Sequence, residues 1–198
     1  QTGYLEKREN VTTESGNDRV LVPHEECLRD KAKQAANFLA IEKESNRVNA
    51  KRLLQETAEG VVVVNPPFPT MTTEQLDHSF DLPYTRLPHP KYNGKRIPAY
   101  DMIKHSVNIH RGCFGGCNFC AITMHQGRFV TSRSHESVLA EAEKIAASPD
   151  FKGYIHDVGG PTADFRIPSC KKQVTEGLCP DRKCLAPTPC PHLQVDHS

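Results

Sequence analysis

Cys113, Cys117 and Cys120 fall within eight positions and set the chemistry this sequence can do. Their Cys-x3-Cys-x2-Cys spacing brings three thiolates close enough to bind one soft metal centre. A four-cysteine set would close a zinc or iron–sulfur site completely. Three thiolates instead leave one iron of a 4Fe–4S cube without a protein ligand, open to a substrate or cofactor. Gly115 and Gly116 let the backbone curl around such a cluster and turn amides toward its sulfurs. A wider group follows at Cys170, Cys179, Cys184 and Cys190, with His192 close behind. That segment is rich in Lys and Pro and poor in apolar residues, so a second metal centre, zinc or iron–sulfur, is expected to order it. For structural zinc the available free energy is on the order of 10–16 kcal/mol. Cys27 stands apart and reads as a plain core or surface thiol. A disulfide framework suits small secreted chains with a leader, and the polar start Gln1-Thr2-Gly3-Tyr4-Leu5-Glu6-Lys7-Arg8 shows none.

The elements that must hold these cysteines read as follows. Ser106-Val107-Asn108-Ile109-His110 alternates like a strand and runs directly into Arg111-Gly112-Cys113. Ser134 is a plausible helix N-cap with Glu136 in the first turn; Val138, Leu139, Ala142, Ile145 and Ala146 share one apolar face, and Pro149 closes the segment. A second strand is expected over Gly153–Val158, ending at Gly159-Gly160. Strand, loop, helix and strand of these lengths form one parallel βα unit and the start of another. Upstream, residues 1–24 read as irregular apart from a short strand at 19–22. A helical stretch runs from Glu25 to about Glu59, broken near Asn46, with Leu28, Ala32, Ala35 and Leu39 as its stripe. Val61–Val64 is a buried strand stopped by Pro66 and Pro67. Pro69, Pro83, Pro88 and Pro90 make the following stretch an extended arm.

The 198-residue chain carries a net charge of +1, which removes the simplest argument for nucleic-acid or anionic-membrane partners. No apolar run, Val61–Val64 included, exceeds four residues, far below the ~18 residues of a membrane span. A cytoplasmic location is expected.

Cys-x3-Cys-x-aromatic-Cys after a first strand resembles the signature of the radical S-adenosylmethionine (radical SAM) superfamily. Ile109-His110-Arg111-Gly112-Cys113-Phe114-Gly115-Gly116-Cys117, Phe119-Cys120-Ala121-Ile122-Thr123 and His125-Gln126-Gly127-Arg128 are similar to the YgiQ-type radical SAM proteins. So are Val63-Val64-Asn65-Pro66-Pro67, Ile97-Pro98-Ala99-Tyr100 and Gly159-Gly160-Pro161-Thr162-Ala163.

The resemblance implies an α/β fold: the start of a partial β/α radical SAM barrel preceded by an α-rich module. It places a helical module and Pro-rich arm at 1–100, the first barrel units at 101–169 and the Cys-rich segment at 170–198. It implies that Cys113, Cys117 and Cys120 ligate a 4Fe–4S cluster whose fourth iron is chelated by S-adenosylmethionine. Reductive cleavage of that cofactor would yield a 5′-deoxyadenosyl radical acting on an unknown substrate, with electrons from a flavodoxin-like donor. Phe119 would lie against the adenine, and Gly159 and Gly160 near the cofactor's amine. The Glu of the superfamily's Gly-Gly-Glu-like stretch is missing here, and no catalytic residue is assigned. Auxiliary clusters are common in the superfamily, which favours iron–sulfur over zinc in the second cysteine group. A full barrel takes about 250 residues, and roughly 85 follow Cys113, so the chain is expected to be an excerpt with little activity alone. The alternative is a zinc-organised binding module with no radical chemistry. A thiol–disulfide role for Cys117 and Cys120 ranks third, because it leaves Cys113 unused.

Overall fold

A computed structural model describes residues 2–14, 16–160, 165–181 and 183–196. The chain forms two compact units, Gln1–Pro69 with Cys170–Lys183, and Thr70–Ser169 with Cys184–Ser198. The architecture is mixed α/β with small sheets.

In the first unit, β1 (Gly3–Glu6), β2 (Asp18–Val20), β3 (Arg52–Glu56) and β4 (Val61–Val64) form one sheet in the order β1-β4-β3-β2. Strand β4 is antiparallel to both neighbours, and β2 is parallel to β3. The uninterrupted valine run has a physical reason, because both faces of the sheet are covered. Leu21, Ala40 and Leu53 pack with Val64 on one side, and Leu54, Val61 and Val63 with Val11 on the other. The module expected to be helical therefore carries a four-stranded sheet. Residues 52–56 are strand rather than helix: Leu53 and Leu54 are buried on opposite faces, which only an extended backbone permits.

Helices α1 (His24–Arg29) and α2 (Lys31–Ser45) complete this part of the unit. The helical period was legible, but the Leu28–Leu39 stripe points outward and the buried positions are Cys27, Asn37, Ala40 and Glu44. Polar side chains face inward here because they satisfy backbone groups. Asn37 accepts from the Val22 amide and donates to its carbonyl, both at 2.9 Å, and Glu44 accepts from the Lys51 amide at 3.0 Å. Asp18, its side chain 2% exposed, receives two bonds from the Arg52 guanidinium at 2.8 and 2.7 Å. Arg52 thereby holds the Asp18 carboxyl below its usual range, with help from the Glu14 amide. The stabilisation is complete above the ordinary carboxylate range and is lost as pH falls through the lowered folded value. Asp18→Asn should reduce stability at neutral pH and flatten the acid limb of a urea-unfolding series. An unchanged acid limb would show that the pair contributes nothing.

The second unit holds α3 (Thr73–Phe80), α4 (Pro98–Ile103), β5 (Ser106–Asn108), β6 (His110–Arg111), α5 (Ile122–His125), β7 (Thr131–Ser132), α6 (His135–Ala146) and β8 (Asp157–Gly159). Helix α3 lies in the stretch expected to be an arm. It starts where Thr72 and Gln75 form a reciprocal capping box, a signal the surrounding prolines obscured. Ser134 caps α6 as expected, its hydroxyl accepting from the Ser137 amide. Strands β5 and β8 pair in parallel, with α6 in the connection between them. Val107, Ile109 and Ile145 form the core there, packed by Val138, Phe151 and Ile155. Among the described residues the strands close no barrel.

The last helix, α7 (Lys171–Thr175), belongs to the first unit. Main-chain pairing orders its surroundings: Val48 donates to Glu176 at 3.2 Å and Leu178 to Asn46 at 2.8 Å. Leu178 is buried. This part of the Cys-rich segment has an organising partner in residues 46–48 that composition alone did not suggest.

Candidate metal centre

Strands β6 and β7 form an antiparallel pair, His110 with Ser132 and Arg111 with Thr131. The three-cysteine motif lies in the loop that joins them. That loop is closed at its neck, where the Cys113 amide donates to the Gly127 carbonyl at 3.1 Å. Gly112 makes the closure possible. Its φ is +85°, and a Cβ there would lie 1.7 Å from the Phe129 carbonyl oxygen. The neck is fixed to the sheet on both edges, since Ile109 donates to Gly159 at 2.8 Å and accepts from Arg133 at 2.9 Å.

Within the loop, Phe114 is fully buried and stacks on Phe165 with ring centroids 3.9 Å apart. Gly115 after it is still buried, Gly116 half-buried and Cys117 exposed. A Cβ on Gly115 would sit 3.3 Å from Cys113 Sγ and 3.7 Å from Cys117 Sγ. Both thiols thus converge on one side of Gly115, no more than about 7 Å apart. A side chain at 115 would fill the space between them. Gly116 follows with φ +64°, and the Cys120 amide donates to the Cys117 carbonyl at 3.1 Å. Cys113 is buried, Cys120 half-buried and Cys117 exposed. Burial pushes the Cys113 thiol up, and the thiols of Cys117 and Cys120 add to this. The Gly115 amide and the buried Arg128 oppose it. A nearby cation would invert that balance and favour thiolate.

Among the described residues, no three His, Cys, Asp or Glu side chains are gathered as a ready metal-ion site. The loop nevertheless fits an iron–sulfur cluster in its donor chemistry and in the cradle over Gly115. Phe119 is 93% exposed, an aromatic ring left open beside Cys120. Gly160 lies flat on the buried His110, where a Cβ would approach the imidazole to 2.2 Å. Nothing in the sequence spacing signals this contact or the Phe114–Phe165 stack. Gly160→Ala should cost roughly 1–3 kcal/mol through overpacking, read by urea unfolding. His110→Ala in the same chain should recover part of the loss; strict additivity would show that the collision is not its cause. Pro161, Thr162 and Ala163 of the same motif lie outside the described residues.

In the second cysteine group, Cys170 and Cys179 belong to the first unit, and Cys184 and Cys190 to the second. Cys170 caps α7 without a side-chain bond. Cys184 Sγ lies 3.4 Å from Ser169 Oγ, and the Cys190 amide donates to the Cys184 carbonyl at 2.8 Å. Cys27 is a buried core thiol receiving a bond from Asn37. His105 is buried against Phe151 and His156, a packing role.

Comparison with known proteins decides the family. The family model described as "Radical SAM N-terminal" matches residues 2–106. The chain belongs to the radical SAM N-terminal family. A "UPF0313 protein" of Bacteroides thetaiotaomicron is 56% identical over 197 residues, covering all of this chain and 32% of the relative. Those of Porphyromonas gingivalis and Methanosarcina mazei are 53% and 42% identical, each covering all of this chain and 31% and 33% of the relative. This radical SAM N-terminal chain therefore spans about a third of the length of the curated relatives it matches. The YgiQ-type resemblance holds at the level of the family. The matched segment ends at the start of β5, just before the cysteine loop. No solved structure matches the chain. No helix of the described residues is long and apolar enough to cross a membrane.

Proposed function

We propose that this chain supplies the N-terminal part and the cluster-holding loop of a radical SAM enzyme, with β5, α6 and β8 as the first unit of its barrel. The observation that carries the reading is the convergence of Cys113 and Cys117 over Gly115, in a loop tied at its neck and anchored by Phe114. Cys113, Cys117 and Cys120 would hold a 4Fe–4S cluster that, with S-adenosylmethionine bound, supplies reductive cleavage to a 5′-deoxyadenosyl radical. The protein's own part is binding and orientation. The Cys113–Gly127 bond keeps the thiols in one short arc, and Gly115 leaves room between them. Phe119 presents a free ring for the cofactor's adenine, and the Gly159-Gly160 backbone lies beside the strand that leads into the loop. A flavodoxin-like protein is the proposed electron donor. A second metal, iron–sulfur or zinc, remains the expectation for the Cys-rich segment at 170–198.

The test is anaerobic reconstitution with iron and sulfide of both this chain and the full-length Bacteroides relative, followed by S-adenosylmethionine and a strong reductant. Cluster absorption is expected in both and efficient 5′-deoxyadenosine formation only in the longer protein, whose additional length would shield the radical. Colourless protein with stoichiometric zinc would replace this reading with the zinc-organised module. Metal analysis of a variant lacking Cys113, Cys117 and Cys120 isolates the second group. A metal-free tail would return those four cysteines to plain loop residues.

A further inference from the structure

A cavity of about 380 Å³ opens in the second unit, lined by Phe80, Leu82, Tyr84, Arg86, Arg111 and Lys144, with Glu141 in its wall. Its size is that of a small-molecule site, and its charges are unbalanced. Arg86 is fully engaged: its guanidinium pairs with Glu141 and donates to the carbonyls of Lys104 and Ser106 at 3.2 and 2.9 Å. Glu141, the one acid in the lining, is shared between Arg86 and the buried Arg133. Among the described residues, Arg111 and Lys144 have no ion pair and no side-chain hydrogen bond, and both are exposed. Two free cations thus share a cavity with apolar and aromatic walls. Tyr84 is held there by its hydroxyl, which donates to the Ser79 carbonyl at 3.0 Å. Arg133 covers Phe80 at 4.5 Å from the ring centroid.

We propose that this cavity binds a nucleotide, with its phosphate on Arg111 and Lys144 and its base against Tyr84 and Phe80. Free cations in a partly enclosed site recognise phosphate through charge-assisted bonds. A lone phosphate would leave much of the cavity and its aromatic wall unused, whereas a planar base fills both, and base–aromatic stacking tolerates any base. The near-neutral net charge of the chain hides this local excess. The site does not depend on the cluster.

Titration calorimetry of the full chain with UMP, uridine, inorganic phosphate and a short oligouridylate tests the proposal; the pyrimidine avoids competition with an adenine pocket. UMP should bind more tightly than phosphate or uridine, and weaken as salt rises. Arg111→Gln and Lys144→Gln should each weaken UMP about tenfold. Lys144→Arg should retain binding, and Tyr84→Ala should weaken UMP but not phosphate. The chain without added iron and sulfide should bind UMP as tightly as the reconstituted chain. UMP binding no tighter than phosphate, or insensitive to Arg111→Gln and Lys144→Gln in chains with native circular dichroism, would overturn the proposal. So would a dependence of UMP binding on added iron and sulfide, or tighter binding of the oligouridylate, which would make the cavity part of a nucleic-acid groove.

Discussion

Cys113→Ala, Cys117→Ala and Cys120→Ala are each expected to abolish the cluster absorption that this loop contributes to the reconstituted chain, while Cys27→Ala leaves it intact. A cube held by three thiolates has no spare protein ligand, so one deletion leaves two contacts and an open edge. The controls follow from burial. Cys113 is buried, so its replacement also removes packing, whereas Cys117 is exposed and should lose the cluster without unfolding. Cys27 lies in the other unit and bonds to Asn37. Gly115→Val should mimic the cysteine variants with every thiol present, because its side chain would occupy the space between Cys113 Sγ and Cys117 Sγ. Iron content per chain and absorption in the visible blue are the measurements. Full iron occupancy in Cys117→Ala would remove this loop from the proposed function.

How much of this was legible without coordinates differs from element to element. The βα order around the cysteines was readable, because the Ser134 cap, the Ile145 face and the strand before Cys113 are local patterns. The β6–β7 pairing was not, since two-residue strands carry no periodicity and their partner lies beyond the loop. Residues 52–56 were misread as helix because Arg, Leu, Gln and Glu favour helices; tertiary pairing between β2 and β4 overrode that preference. The outward stripe of α2 has a similar origin. Its buried face carries Asn37 and Glu44, which act through backbone bonds that hydrophobic spacing cannot reveal. The cysteine motif was legible as chemistry, while its cradle depended on Gly112, Phe114 and Gly115 meeting atoms distant from or invisible to the motif's spacing.

Arg133→Ala is expected to be the most destabilising single substitution in the second unit, by about 3–5 kcal/mol. Arg133 is 1% exposed, and its side chain joins three elements. It donates to the Asn108 carbonyl at 2.9 Å on β5, and to the Ser137 carbonyl and hydroxyl at 2.9 and 2.8 Å on α6. It also pairs with Glu141 and lies over Phe80 at the end of α3. Around it, Asp77 accepts from the Ser134 amide and Asp81 from the Ser137 hydroxyl, so α3 and α6 are joined through the same cluster. Truncation to Ala would strip buried carbonyls of their donor and leave Glu141 with Arg86 alone. Arg133→Lys keeps the charge but not the fork, so it should recover only part of the loss. The Arg133 main chain also bonds to Ile109, at the neck of the cysteine loop. Loosening this position should therefore lower iron occupancy as well as the urea midpoint, although no cysteine is touched. An unfolding free energy within about 0.5 kcal/mol of the parent would show that the network is ornamental. A large loss of stability with iron occupancy intact would separate the support of the sheet from the holding of the cluster.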